Sequence, residues 1–82
     1  MNKAWLRCEV SPGMFSNERA IGIATAEGNV VSFFLDDDFV KNDEIEVGVV
    51  AGNGEFGVVM LPQRTFEGSN VARVLMTNLR FA

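Results

Sequence analysis

"VVAGNGEFGVVM", residues 49–60, admits two readings, and the choice between them decides the fold. Gly52, Gly54 and Gly57 spell G-x-G-x-x-G, and Val59 extends the match to the glycine loop of a kinase. A dinucleotide fingerprint requires a helix after its glycines, because the helix N-terminus holds the pyrophosphate. Here Val58, Val59, Met60 and Leu61 follow, and then Pro62: a strand and its stop. A kinase loop does lie in a hairpin, but no H-R-D or D-F-G sequence accompanies it, and 82 residues cannot hold a kinase. A plain β-hairpin remains. Asn53-Gly54 is the strongest two-residue signal for a type I′ turn, whose central residues both take positive φ. That loop pairs Gly52 with Glu55, Ala51 with Phe56 and Val47 with Met60. Ile45, Val47, Val49, Ala51, Phe56, Val58 and Met60 then share one apolar face, and Gly57, Val59 and Leu61 fall on the other. A slip of one residue would mix the two sets.

Working outward, further short strand-like segments separated by turn clusters run through the chain. Residues 4–10 alternate, with Ala4, Leu6, Cys8 and Val10 on one face and Trp5, Arg7 and Glu9 on the other. Pro12-Gly13 sets a turn. Residues 19–26 and 30–35 flank "EGN", and a Gly28-Asn29 loop would pair Ala24 with Phe33 and Gly22 with Leu35. Residues 71–82 fit either a helical stripe or a strand, and the branched Val71, Val74 and Thr77 favour the strand. The expected fold is one all-β domain over residues 1–82, a small, partly open antiparallel β-barrel of five to six strands, OB-like or SH3-like.

Composition narrows the chemistry. The chain has no histidine and no tyrosine, which removes the commonest general acid–base residue and the commonest transition-metal ligand. A Ser-His-Asp triad and a Cys/His zinc site are both impossible, and no enzyme and no cofactor are expected. The lone Cys8 cannot form a disulfide within the chain, and residues 1–12 lack the apolar core of a secretory signal, so the expected location is the cytoplasm.

The net charge of −4 is concentrated in residues 36–46, "DDDFVKNDEIE", which carry −5 on their own. A calcium-loop register fails there because Lys41 stands where the obligatory glycine belongs, and no metal site is expected. One of the three aspartates is expected to cap a single helical turn over residues 38–41, with Phe39 and Val40 plugging one end of the barrel. Asn42-Asp43 then turns the chain into the strand at Glu44. "VKNDEIEV", residues 40–47, resembles the K-x-G-D-x-x-x-V lead-in to a strand of many small β-barrels, a likeness of fold and not of family.

Between Ala20 and Leu35 the single charged residue is Glu27, at the turn. Both faces of that hairpin are therefore largely apolar, whereas an exposed antiparallel sheet has one polar face. Either Met14 and Phe15 fold back over the second face, or a partner covers it, most simply a second copy. The expected function is a non-catalytic binding or assembly module acting through protein–protein contacts, self-associating through Met14, Phe15, Ile21, Ile23 and Phe34. The alternative is a single-stranded nucleic-acid-binding barrel that stacks bases on Trp5 and neutralises phosphates with Arg7, Arg64, Arg73 and Arg80. The overall acidity opposes it, and no membrane partner is expected.

Overall fold

A computed structural model describes residues 2–81; Met1 and Ala82, the last residue of the ambiguous 71–82 segment, lie outside the described residues. The strands are β1 (Asn2–Arg7), β2 (Glu9–Pro12), β3 (Glu18–Ala24), β4 (Val30–Asp36), β5 (Val40–Lys41), β6 (Glu44–Gly52), β7 (Phe56–Met60), β8 (Val71–Leu75) and β9 (Leu79–Phe81). Two 3-10 turns, Asp37–Phe39 and Met76–Asn78, interrupt them. Among the described residues no helix is long and apolar enough to cross a membrane.

The strands form two antiparallel sheets. The larger runs β8-β7-β6-β1-β9, with β5 also on β6, and the smaller runs β2-β3-β4. One residue, Cys8, separates β1 from β2, so a single extended run serves first one sheet and then the other. The all-β expectation holds, but neither sheet closes into the expected barrel. β8 and β9 are the two edges of the larger sheet, joined through the turn Met76–Asn78 and not paired with each other. The strand count exceeds the expectation for the same reason, because single turns split long extended segments in two. Residues 71–81 combine the two sequence readings, as strand, one tight helical turn, and strand.

One core lies between the sheets. Leu6, Ile45, Val47, Val59 and Val74 enter it from the larger sheet, and Ile21, Ile23, Phe33 and Leu35 from the smaller. Phe33, Leu6, Ile21 and Ile23 are among the largest fully buried side chains, each contributing about 1.5–3 kcal/mol relative to exposure.

Both hairpin registers differ from those the turns suggested. At the tip of β6–β7, neither Asn53 nor Gly54 takes positive φ. Instead Asn53 Oδ1 accepts from the N–H groups of Glu55 (2.8 Å) and Phe56 (2.9 Å), while Asn53 N–H donates to the Phe56 carbonyl at 2.9 Å. The asparagine side chain builds the turn that its backbone was expected to make. Gly52 therefore pairs with Gly57 and Ala51 with Val58; a β-bulge at Val50 then shifts the pairing to Val49–Val59 and Gly48–Met60. Ile45 and Val47 do face the core, but on β7 it is Gly57 and Val59, with Leu61 just after it, that are buried, while Phe56, Val58 and Met60 turn outward. The glycine has a reason. A Cβ at Gly57 would meet Leu79 Cδ1 at 3.1 Å and Met76 Sδ at 3.2 Å, so its bare Cα lets the turn Met76–Asn78 pack down on the strand.

On β3–β4, Gly28 at φ +91° closes a three-residue loop, with Thr25 N–H donating to the Asn29 carbonyl at 2.8 Å. The pairs become Ile21–Phe33 and Ala20–Phe34, which puts Ile21, Ile23, Phe33 and Leu35 together inside. The type I′ geometry appears elsewhere: Asn42 (φ 54°) and Asp43 (φ 60°) form the tight turn between β5 and β6.

Asp36 caps the turn Asp37–Phe39, its Oδ1 accepting from Asp38 N–H at 2.9 Å. The cap is as expected, although the turn starts one residue earlier and Val40–Lys41 is strand. Val40 packs against the core, but Phe39 is 64% exposed and plugs nothing.

Candidate functional site: the outer face of the smaller sheet

The corrected register divides the residues expected to form an interface. Ile21 and Ile23 belong to the core, 1% and 0% exposed, so they present nothing to a partner. Phe34 lies on the opposite, outer face of β4. Met14 and Phe15 do not fold back over that face; they stand 74% and 68% exposed in the turn between β2 and β3.

What covers part of the face comes from the long loop after β7. Phe66, itself 64% exposed, sets its ring 5.2 Å from that of Phe34 in an edge-on arrangement. Its N–H donates to the Ser32 carbonyl at 2.8 Å, which anchors the loop along the outer edge of β4. Beside these rings the cross-strand rows are small: Ser11 with Ala20 and Phe34, Glu9 with Gly22 and Ser32, and Ala24 with Val30. The result is a shallow hollow of about 290 Å³ floored by Ser11, Ala20, Gly22 and Ser32 and walled by Phe34, Phe66 and Val30. A second hollow of about 240 Å³ adjoins it across Phe34 and reaches Phe15, Glu18, Asp36 and Gln63. Phe66 was not singled out in the sequence. Its signal was an isolated phenylalanine in an otherwise polar loop, "QRTFEGSN", with no pattern to say which face it would join.

The residues of the nucleic-acid reading are only partly gathered. Trp5 pairs across strands with Arg80, whose guanidinium lies 5.9 Å from the indole, and Arg7 follows two residues along β1. Arg80 is already engaged, with Nη2 and Nε on the two oxygens of Glu44 at 2.7 and 3.3 Å. That guanidinium hydrogen bond holds the Glu44 carboxyl below its usual range despite some desolvation. Arg73 is on β8, three strand positions from β1, about 14 Å at ordinary spacing. It is held by Glu27 at 2.6 Å and lies 4.2 Å above the Phe56 ring. Arg64 stands in the loop between β7 and β8, away from these strands in the chain. The five residues do not line one groove. A groove of about 360 Å³ does run beside Trp5, between Phe39 and Pro62, but Asp38 and Glu46 line it along with Lys41.

Cys8 is 8% exposed, and its thiol lies 3.5 Å from the Asp43 carbonyl, to which it donates. Burial, and then the neighbouring Asp43 and Glu44 carboxylates, push it up to about 11. At neutral pH it is a thiol and not the thiolate that nucleophilic chemistry needs. Comparison of the chain with family models, with curated proteins and with solved structures finds no match to any of them.

Proposed function

We propose that this protein is a non-catalytic binding or assembly module that acts through protein–protein contacts at the outer face of β2-β3-β4. The observation that carries the reading is the line of aromatic rings, exposed Phe15 and Phe66 with half-buried Phe34 between them, beside a floor of small residues on the outer face of the smaller sheet. An apolar face rimmed by polar groups is the usual mark of a contact surface. The chain has no histidine and no tyrosine, and Cys8 is protonated at neutral pH, which favours binding over catalysis in this reading. The nucleic-acid reading has less support, because Arg73 and Arg80 are paired with carboxylates and a binding groove needs its cations free.

The fold suits such a role. In this reading the path β9-β1-β6-β7-β8, with its ends linked by a 3-10 turn, is a nearly closed SH3-like barrel, and the smaller sheet is elaborated between its first two strands. The contact can be with a second copy, as the sequence suggests, or with a different protein. Phe34→Ser/Phe66→Ser tests the reading, since Phe66 is exposed, Phe34 is half-buried on the outer face, and neither belongs to the core cluster. The variant should keep the wild-type circular dichroism and a cooperative melt. It should lose whichever contact the wild type makes, self-association at high micromolar concentration or retention of a host protein. A variant that behaves as wild type in both assays refutes the site.

A further inference from the structure

We infer that the outer face of β2-β3-β4 takes a short segment of another protein that carries basic residues on either side of one apolar anchor. This rests on the protein-contact reading above and names the occupant.

Size is the first argument. Three strands of four, seven and seven residues, spaced about 4.8 Å apart at about 3.3 Å per residue, present a flat footprint of roughly 290 Å². A stable complex of two globular partners buries about 800 Å² on each side. Even with Met14, Phe15 and Phe66 at its margins, this face is small for a second folded copy and adequate for a segment. The hollow of about 290 Å³ falls just below the roughly 300–1,000 Å³ of small-molecule pockets, which suits one anchoring side chain.

Charge is the second. The two hollows are lined by Glu9, Glu18 and Asp36, and no lysine or arginine lines either, although Arg7 lines a further hollow that shares Glu9, Gly22 and Val30. Arg19, the neighbouring cation on β3, is turned to Asp37 at 3.6 Å and to the Ser16 and Glu18 carbonyls. A second copy would bring an identical set of carboxylates against the first, and like charges facing each other across an interface are costly. Lysine or arginine beside an apolar anchor matches the rim.

The edges say how the segment lies. The Ser32 carbonyl on the outer edge of β4 already accepts from Phe66, and Pro12 on the edge strand β2 has no N–H to give. The sheet is therefore poorly placed to be extended by another strand. The segment crosses the face, its anchor resting on Gly22 between the Phe34 and Phe66 rings and the Glu9 side.

The test selects a library of random eight-residue peptides displayed on phage against the immobilised full chain. Enriched sequences are expected to carry lysine or arginine around one large apolar residue. The best of them, synthesised, should bind at least ten-fold more weakly to Gly22→Val, whose added Cβ makes ordinary contacts with Val30 Cγ1 at 3.4 Å and Glu9 Cβ at 3.7 Å while its methyls raise the floor. Phe34→Ser should lose a similar factor, which keeps the test open should Gly22→Val fail to fold. Glu9→Gln/Glu18→Gln should weaken binding several-fold at low salt and less at high salt. Enriched peptides without excess positive charge, or binding indifferent to both Gly22→Val and Phe34→Ser, overturn the inference. Sedimentation at 500 µM showing a dimer that Gly22→Val dissolves also overturns it, while leaving the protein-contact reading in place. No enrichment from a chain that stays monomeric removes both.

Discussion

Gly57→Val separates the two possible registers of the β6–β7 hairpin by the sign of its effect. With the pairing that an Asn53-Gly54 turn implies, residue 57 faces outward, and valine in an exposed strand position would stabilise by about 0.5–1 kcal/mol. In the structure residue 57 faces the core, and a Cβ there stands 3.1 Å from Leu79 Cδ1 and 3.2 Å from Met76 Sδ. Both neighbours are side-chain ends, so a single methyl can be absorbed by small movements. Gly57→Ala should then fall near neutral, because crowding offsets the ~0.4–1 kcal/mol gained from a stiffer unfolded chain. Valine adds two more methyl groups to the same gap, and overpacking of that kind costs about 1–3 kcal/mol. The net expectation is a loss of about 2 kcal/mol. Urea unfolding followed by the fluorescence of Trp5 measures it, and with a slope of roughly 1–1.5 kcal/mol per molar the midpoint falls by about 1–2 M. Met76→Ala in the Gly57→Val background should recover about 1 kcal/mol by giving the methyls room. A neutral or stabilised Gly57→Val, or a double variant no better than the single, refutes the packing argument.

Adjacent residues on β4 should differ: Phe33→Ala costs about 3–5 kcal/mol, enough to unfold much of a small domain, whereas Phe34→Ser, half-buried against the Phe66 ring and outside the core, costs about 0.5–1.5 kcal/mol. Asp43 at φ 60° is the second central residue of a type I′ turn, so Asp43→Gly should raise stability by about 0.5–1 kcal/mol in urea melts, its carbonyl still available to Cys8. Cys8 keeps its proton to about pH 11 in the fold against an ordinary 9.0, so the folded state binds more protons than the unfolded chain between those values. Stability should accordingly fall as pH rises from about 9 to 11, by up to ~2–3 kcal/mol, and Cys8→Ala should lack that part of the slope. The same burial predicts that native protein at pH 8 reacts with a thiol reagent far more slowly than protein in urea.

Alternation made the strands legible. Ala4, Leu6 and Cys8 sit inside with Trp5 and Arg7 outside, as the period of two requires. The registers were harder, because turn chemistry and side-chain size pointed different ways. Grouping the largest apolar residues, Ile21 and Ile23 with Val31, Phe33 and Leu35, selects the observed pairing of β3 with β4. Gly28-Asn29 favoured a two-residue loop that opposed it. At Asn53 the competing signal came from the side chain, which hydrogen-bonds the turn from outside the backbone, and an Asn-Gly pair reads the same either way. The site was half visible: Met14, Phe15 and Phe34 were recognisable as apolar residues without an obvious core. Phe66 reaches the same face through a loop whose path depends on the Ser32 carbonyl, a contact 34 residues away that no local pattern encodes. Its own exposure shows that the loop does not bury it.

The central claim is that the outer face of β2-β3-β4 is where this protein meets its partners. The most direct measurement is the amide spectrum of ¹⁵N-labelled protein, followed in a dilution series and in titration with a library-selected peptide. The account predicts shifts concentrated at Ser11, Ala20, Gly22, Ser32, Phe34 and Phe66, with the amides around Trp5 and Arg80 unmoved. Shifts centred on Trp5, Phe39 and Pro62, with the smaller sheet unaffected, would contradict it.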